Sequence, residues 1–257
     1  MLVSLITACY NSAGTLADTI ESVRMQKDCV LEYLVIDGGS ADNTVDLIRA
    51  AGSLVSHWTS EPDAGIYDAL NKGISRSTGD VIGFLHADDT FADQRVLSRV
   101  AEIFADRKVQ ACYGDLVYVG QTDPSHILRY WRSGPFEKAK LARGWMPPHP
   151  TFYVRREVYE RFGGFDTQYR IAADYDCMLR ILSRMDGEVA YIPEVLVRMR
   201  AGGISNRSLR NIIRKSKEDY RALRTNSIGG WPALAWKNLS KLGQFVQRQT
   251  PPDKGIR

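Results

Sequence analysis

The chain has 257 residues, enough for one large α/β domain or one domain with a C-terminal appendage. With 44% hydrophobic and 25% charged residues it has the make-up of an ordinary globular protein, which excludes a disordered or low-complexity class. A net charge of +4 hides a division: from Ser205 onward twelve Lys/Arg stand against three Asp/Glu, so the first 204 residues are mildly acidic.

Met1-Leu2-Val3-Ser4-Leu5-Ile6-Thr7-Ala8 lacks a basic leader and predicts a first strand, Leu2 to Ala8, rather than a signal peptide. Ser12 is a suitable N-cap for a helix through about Gln26, where Leu16, Ile20 and Val23 recur at helical spacing. Glu32 to Asp37 predicts a second strand closing on Gly38-Gly39-Ser40, and Ser40 or Asp42 then caps a helix ending near Ala51. Leu54 to Ser60 predicts a third strand, Ile66 to Ser77 a helix, and Asp80 to His86 a buried strand that runs into Asp88-Asp89. Asp93 to Asp106 follows as an amphipathic helix. This β-α-β-α-β-α-β order with short links is that of a parallel sheet with helices on both faces.

Val109 to Val119 and His126 to Trp131 predict two further strands that make the sheet mixed. Ser133 to Pro150 is a long Gly- and Pro-marked connection of the kind that forms functional loops. A short strand over Thr151 to Val154, helices over Arg156 to Phe162 and Ala173 to Arg184, and an extended stretch over Glu188 to Arg200 complete the body. Two basic helical stretches follow, about Leu209 to Arg224 and Pro232 to Gln247.

No apolar run approaches the roughly 18–20 residues that span a bilayer. Cys9, Cys29, Cys112 and Cys177 form no C-x-x-C pair, and His57, His86, His126 and His149 have no zinc spacing. A cytoplasmic protein with reduced thiols is expected. The basic tail suits an anionic surface such as a membrane. Its second stretch, with Trp231, Leu234, Trp236, Leu239, Leu242, Phe245 and Val246 among Lys237, Lys241 and Arg248, either lies in the interface or packs back on the domain. No helix-turn-helix, finger or RNA-binding signature accompanies the charge, so nucleic acid is not expected.

Ligands of open α/β sheets bind outside the carboxyl ends of the strands. That edge collects Thr7 to Asn11, Asp37 to Ser40 and Asp88-Asp89: a ring for stacking, short polar groups and three carboxylates. A nucleotide with a metal on its diphosphate fits such a crevice. There is no G-x-G-x-x-G after the first strand and no G-x-x-x-x-G-K-[ST], which counts against a dinucleotide dehydrogenase and a P-loop enzyme. Plainer readings stand beside these. Asp88 or Asp89 caps the helix near Asp93, Asp37 or Asp174 is a helix-entry residue, His149 braces a proline-flanked turn, and Lys72 is a solvated surface residue.

Seven segments in order resemble glycosyltransferase family 2. They are Ser4 to Asn11, Leu34 to Thr44, Asp63 to Gly73, Gly79-Asp80 through Asp88-Asp89, His149-Pro150-Thr151-Phe152, Gly163 to Asp166 and Ala173-Asp174-Tyr175-Asp176. The likeness is closest to the bacterial branch that builds O-antigen and exopolysaccharide. It implies a GT-A fold, a Rossmann-like, mixed and mainly parallel sheet, over residues 1–205. Residues 1–119 would form the nucleotide-sugar half, 120–205 the acceptor half, and 206–257 a basic helical extension.

The resemblance also implies roles. Thr7, Tyr10, Asn11, Asp37 and Gly38 surround the nucleoside, with Asp37 on the uracil, and Asp63, Asn71 and Lys72 line the donor side. The D-x-D element falls on His86-Ala87-Asp88, so Asp88, supported by Asp89, would hold Mg²⁺ or Mn²⁺, and His86 replaces the first acid. Asp174 would be the catalytic base, lacking the acid that precedes it in many relatives, and His149 and Asp176 would meet the acceptor. The activity implied is inverting transfer of a hexose, glucose or galactose, from a UDP-sugar to a lipid-linked saccharide. Transfer to a polyprenyl phosphate and a non-catalytic sugar-nucleotide or glycan-binding module are the alternatives.

Overall fold

The computed structural model of the protein describes residues 1–202 and 209–237. Four parallel strands start the sheet: β1 (Leu2–Cys9), β2 (Val30–Asp37), β3 (His57–Ser60) and β4 (Val81–Phe84). β1, β2 and β4 carry mainly apolar side chains on both faces because helices cover both faces, while β3, at the edge, is partly exposed. Ile6, Ala8, Leu34 and Ile36 enter one core, while Val3, Leu5, Cys9, Tyr33 and Val35 alternate into the other.

β5 (Thr90–Phe91) follows β4, and β6 (Val109–Val119), β7 (Ile127–Trp131), β8 (Tyr153–Arg155) and β9 (Glu188–Arg200) complete the sheet. The order is β3-β2-β1-β4-β8-β6-β9-β5, with β7 paired to β6. β8 runs antiparallel between β4 and β6, while β9 is parallel to β6, so the sheet is mixed as expected. At Gly83 a Cβ would come 2.2 Å from the Tyr153 ring, so β8 approaches β4 this closely only over a glycine.

Helices α1 (Leu16–Arg24), α2 (Thr44–Ala50) and α4 (Val96–Ile103) pack on the face that carries Leu5. Helices α3 (Ile66–Arg76), α6 (Arg156–Phe162) and α7 (Ala173–Arg184) pack on the other. The first helix begins at Leu16, with Thr15 rather than Ser12 at its N-cap, and Ser12 contributes its carbonyl to the Leu16 amide. The third strand is shortened by a 3₁₀ turn over Gly52–Leu54. The connection after β7 holds the short α5 (Lys138–Leu141) and a 3₁₀ turn over His149–Thr151.

The basic extension is not a free tail where it is described. α8 (Leu209–Thr225) buries Asp219, Ala222 and Leu223 against the domain. Residues 231–237 are helical and fold back over it. Ala233 and Leu234 are buried, Trp231 stacks on Tyr220 at 4.4 Å, and Lys237 pairs with Asp219 at 2.9 Å above the Tyr175 ring. Trp231 and Trp236 still face outward. The rest of the second predicted stretch, with Leu239, Lys241, Leu242, Phe245, Val246 and Arg248, lies outside the described residues. Among the described residues no helix is long and apolar enough to cross a membrane.

Candidate active site

The register carries the strand ends to one edge: Cys9 pairs with Asp37, Asp37 with Ser60, and Ile6 with Phe84. Asp37 itself is fully buried there. It accepts from the amides of Gly39 (3.2 Å) and Ser40 (2.9 Å) and from the hydroxyls of Ser40 and Ser60. Burial raises its pKa, but the bonds from Ser40, Ser60 and Gly39 outweigh burial and hold it below the usual carboxylate value. Both oxygens are thus spent on shaping the loop after β2. As placed, the Asp37 side chain shapes that loop into a ledge at the carboxyl end of β2.

Asn11, in a left-handed conformation (φ 48°), laces the β1 loop to that ledge. Its amide donates to Ser40 Oγ at 2.7 Å and its Oδ1 accepts from the Ala41 amide at 2.9 Å. Over the ledge stand Tyr10, 63% exposed, and Asp63. A Cβ on Gly38 would lie 2.5 Å from Asp63 Oδ2 and 3.4 Å from the Tyr10 ring, so the glycine allows ring and carboxylate to close above β2. The ring has a free face for stacking. Lys72 stands at the rim, held by Glu61 at 3.0 Å and Asp68 at 3.5 Å, and these anions raise its pKa.

The loop after β4 separates the two adjacent acids. α4 starts at Val96 with Arg95 at its N-cap, so neither Asp88 nor Asp89 caps it. The Asp88 side chain is exposed and no described residue bonds to it. Asp89 is fully buried: Oδ1 accepts from the Arg200 amide at 3.2 Å and Oδ2 has no partner. Burial, with the Asp88 charge adding to it, pushes the Asp89 carboxyl well above its ordinary value. Asp89 thus faces inward, to the Arg200 amide, while the Asp88 carboxylate beside it faces out.

His86 and His149 lie side by side, ring centroids 5.6 Å apart. His149 stacks on Phe84 at 5.3 Å and meets Phe165 edge-on at 5.6 Å. It is buried rather than presented on an open loop, because the 3₁₀ turn folds it beneath the crevice. Burial, then repulsion from His86, lowers its pKa to about 3. Burial also lowers that of His86, against the pull of Asp88 and Asp174. His86 Nδ1 and His149 Nε2 are both buried without a partner.

Asp174 arrives from the opposite side, in the first turn of α7. Ala172 occupies the N-cap, so Asp174 is not the cap of its own helix. The Tyr67 hydroxyl, from α3, donates to Ile171 O at 2.7 Å and reaches Asp174 Oδ1 at 3.3 Å. Sequence reasoning missed Tyr67 as a site residue; its one signal was its place a helical turn before Asn71.

Three further expected site residues bond to partners within the fold. Thr7 donates to Leu85 O at 2.8 Å and accepts from Tyr33 at 3.1 Å, fully buried. Asn71 bonds both backbone groups of Phe165, at 2.8 Å each. Asp176 is buried between Arg180 (2.8 Å) and Asn226 (2.9 Å). Each lies near the crevice in sequence, but burial turns its polar atoms to structural partners.

The sequence pattern described as Glycosyl transferase family 2 matches residues 4–163. The chain belongs to that family. It is 33% identical to an uncharacterized glycosyltransferase of Mycobacterium tuberculosis over 181 residues, 69% of this chain and 68% of the relative. A PGL/p-HBAD biosynthesis glycosyltransferase of Mycobacterium bovis is 29% identical over 209 residues, 79% of this chain and 78% of that one. The fold matches the crystal structure of S. aureus TarS with a TM-score of 0.66 at 14% identity, over 89% of this chain. The chain spans only 39% of that structure. A shorter form, TarS 1-349, has been solved with UDP and matches over 96% of this chain and 71% of its own, with a TM-score of 0.66 at 15% identity. Mannosyltransferase PcManGT from Pyrobaculum calidifontis, in complex with GDP-Man and Mn²⁺, matches with a TM-score of 0.64 at 18% identity, over 97% of this chain and 76% of that one. The GT-A fold expected from the sequence is thus the fold of this family 2 member.

A divalent cation fits the donor set of this family 2 site in one limited way. Asp88 offers an exposed, uncommitted carboxylate, and the neighbouring His86 has a buried nitrogen without a partner. Among the described residues no three His, Cys, Asp or Glu side chains form a cage. That suits Mg²⁺ or Mn²⁺ held by one carboxylate and by the phosphates of a bound nucleotide, rather than by the protein alone.

Proposed function

We propose that this glycosyltransferase moves a hexose, glucose or galactose, from a UDP-sugar to a lipid-linked saccharide, inverting the anomeric centre, in the synthesis of a cell-surface polysaccharide. One observation carries the reading: the loop after β4 leaves the Asp88 carboxylate exposed, and α7 presents Asp174, 3.3 Å from the Tyr67 hydroxyl, to the same His86 imidazole whose pKa both acids raise against burial. A donor-side and an acceptor-side carboxylate about one point are what a single displacement needs.

In this reading the base stacks on Tyr10 over Gly38, beside Asp63. Asp174 takes the proton of the acceptor hydroxyl, whose oxygen forms the new bond to the anomeric carbon as the bond to the diphosphate breaks. Such a base contributes typically about 10²–10⁴-fold. Mg²⁺ or Mn²⁺, held at Asp88, would offset charge on the departing diphosphate. His149 forms the floor beneath the sugar and, neutral, plays no acid role. The outward Trp231 and Trp236, with the exposed Ile212, Ile213, Lys217 and Arg224, support peripheral contact with an anionic membrane, where a lipid-linked acceptor resides.

The test is UDP release from UDP-glucose and UDP-galactose with Mn²⁺, alongside GDP-mannose as a control, in wild type and in Asp174→Ala and Asp88→Ala. Acceptors are a polyprenyl phosphate and a polyprenyl-diphosphate-sugar, and NMR of the product gives the anomeric configuration. Turnover of a UDP-hexose onto the saccharide acceptor, lost in both variants, is expected. Turnover onto polyprenyl phosphate alone would replace the acceptor, full activity of Asp174→Ala would remove the base, and UDP binding without turnover on any donor would favour a binding module.

A further inference from the structure

α8 lies beyond residues 4–163 that match the family, yet it grips the segment that presents Asp174. Glu218 Oε2 accepts three successive backbone N–H groups, from Arg170 at 3.1 Å, Ile171 at 2.8 Å and Ala172 at 3.0 Å. α7 has no side-chain N-cap of its own, because Ala172 stands at that position. A carboxylate from another helix therefore satisfies these amides, at the end of α7 where the backbone dipoles favour negative charge. Successive amides turned toward one point form a concave anion nest, and only an acceptor-only group fills it fully.

Ile171 passes the constraint on. Its N–H is fixed by Glu218, and its carbonyl receives the Tyr67 hydroxyl that also reaches Asp174 Oδ1. Beyond Asp174 the same extension holds the turn again: Asn226 Nδ2 donates to Asp176 Oδ1 at 2.9 Å, and Lys237 sits 3.1 Å above the Tyr175 ring. The first turn of α7 is thus clamped before and after Asp174 by residues of the C-terminal extension.

We propose that Glu218 is a positioning residue for Asp174, so that the C-terminal extension is part of the catalytic unit. The proposal rests on reading Asp174 as the base. Its force comes from distance: a misplacement of about 1 Å at a reacting group costs about 100-fold in rate.

The experiment uses the full chain with Glu218→Gln and Glu218→Ala, in wild-type and Asp174→Asn backgrounds, assayed with UDP-glucose and UDP-galactose. Amide hydrogen exchange at residues 170–172 is followed in parallel. With Asp174 intact, kcat is expected to fall about 100-fold in Glu218→Ala and about 10-fold in Glu218→Gln, which keeps one acceptor oxygen. The KM for the donor should stay within about twofold, as expected when ground-state binding is untouched. In Asp174→Asn the second substitution should cost nothing further, because there is no base left to position. Exchange at the three amides should quicken in both variants. An unchanged kcat, a loss of equal size in the Asp174→Asn background, or unaltered amide exchange would each overturn the proposal. If Glu218→Ala does not fold, Glu218→Gln carries the same comparison. A wild type inactive on every donor would instead remove the proposed function, while the exchange measurement would still decide whether the nest exists.

Discussion

The Tyr67 hydroxyl stands 3.3 Å from Asp174 Oδ1 while donating to Ile171 O at 2.7 Å, so one side chain ties α3 to the first turn of α7. Burial, followed by the nearby Asp174 charge, pushes the phenol well above its ordinary pKa, and it stays a proton donor throughout the working range. Tyr67→Phe leaves the Ile171 carbonyl short of a partner and Asp174 free to turn. Stability should fall by about 1 kcal/mol, since the bond to Ile171 is lost, and kcat about 10-fold, since Asp174 loses the hydroxyl beside it. Steady-state rates and a thermal melt on the same preparation check both.

Asp88 and Asp89 are neighbours with opposite surroundings, and substitution should separate them. Asp88→Asn is expected to lose about 100-fold in metal-stimulated turnover with little change in melting temperature, because an exposed side chain supports no packing. Asp89→Asn should keep most activity. An Mn²⁺ titration of turnover in the two variants distinguishes the sites: Asp88→Asn should need far more metal, Asp89→Asn no more than wild type.

Asp89 also predicts a pH dependence. Its pKa is raised in the folded chain, so from about pH 4 upward the unfolded chain gives up this proton while the folded chain keeps it. Stability therefore drains as pH rises from the ordinary carboxylate range toward the raised value. Asp89→Asn removes that cost. Its melting temperature relative to wild type should rise between pH 4 and pH 8; a constant difference would show that Asp89 is ionised in the native state.

His149 acts in the other direction. The folded chain holds it near pKa 3, so the stability gained by keeping it neutral is complete above about pH 6.5 and is lost as pH falls toward 3. Between pH 6.5 and pH 5 the loss should reach about 2 kcal/mol from this one group. His149→Phe, which keeps a ring against Phe84, should flatten the acid limb of stability in urea melts at these two pH values.

The outward face of the extension predicts vesicle binding. The wild-type chain should sediment with anionic phosphatidylglycerol vesicles and less with neutral phosphatidylcholine, and salt should weaken the difference. Trp231→Ala with Trp236→Ala should reduce binding about 10-fold, since each ring removed from the interface forfeits apolar burial. Because both rings are largely exposed, the double variant should fold as wild type does.

The amino-acid sequence alone determined the frame. Period-two and continuous apolar runs marked β1, β2, β4, β6 and β9, helical spacing marked α1, α3, α4, α6 and α7, and the alternation of the two fixed the shared edge carrying Cys9, Asp37 and Asp88. The ordered motifs carry the family. These signals are legible because they are local, repeating every two or 3.6 residues. Tertiary structure decided which polar atom faces the crevice. Thr7, Asn71, Asp89 and Asp176 sit within a few residues of it, yet each turns to a distant partner: Leu85, Phe165, Arg200 and Asn226. No spacing rule reports a bond between residues tens of positions apart, and the same blindness hid Tyr67 and Glu218. Asp88 stays exposed where Asp89 is buried because the chain, at that point, must turn from β4 into β5, which pairs with β9 at the far edge of the sheet. The turn closed by the Asp89 amide on the His86 carbonyl at 3.0 Å puts Asp88 at its exposed tip and sends Asp89 into the core.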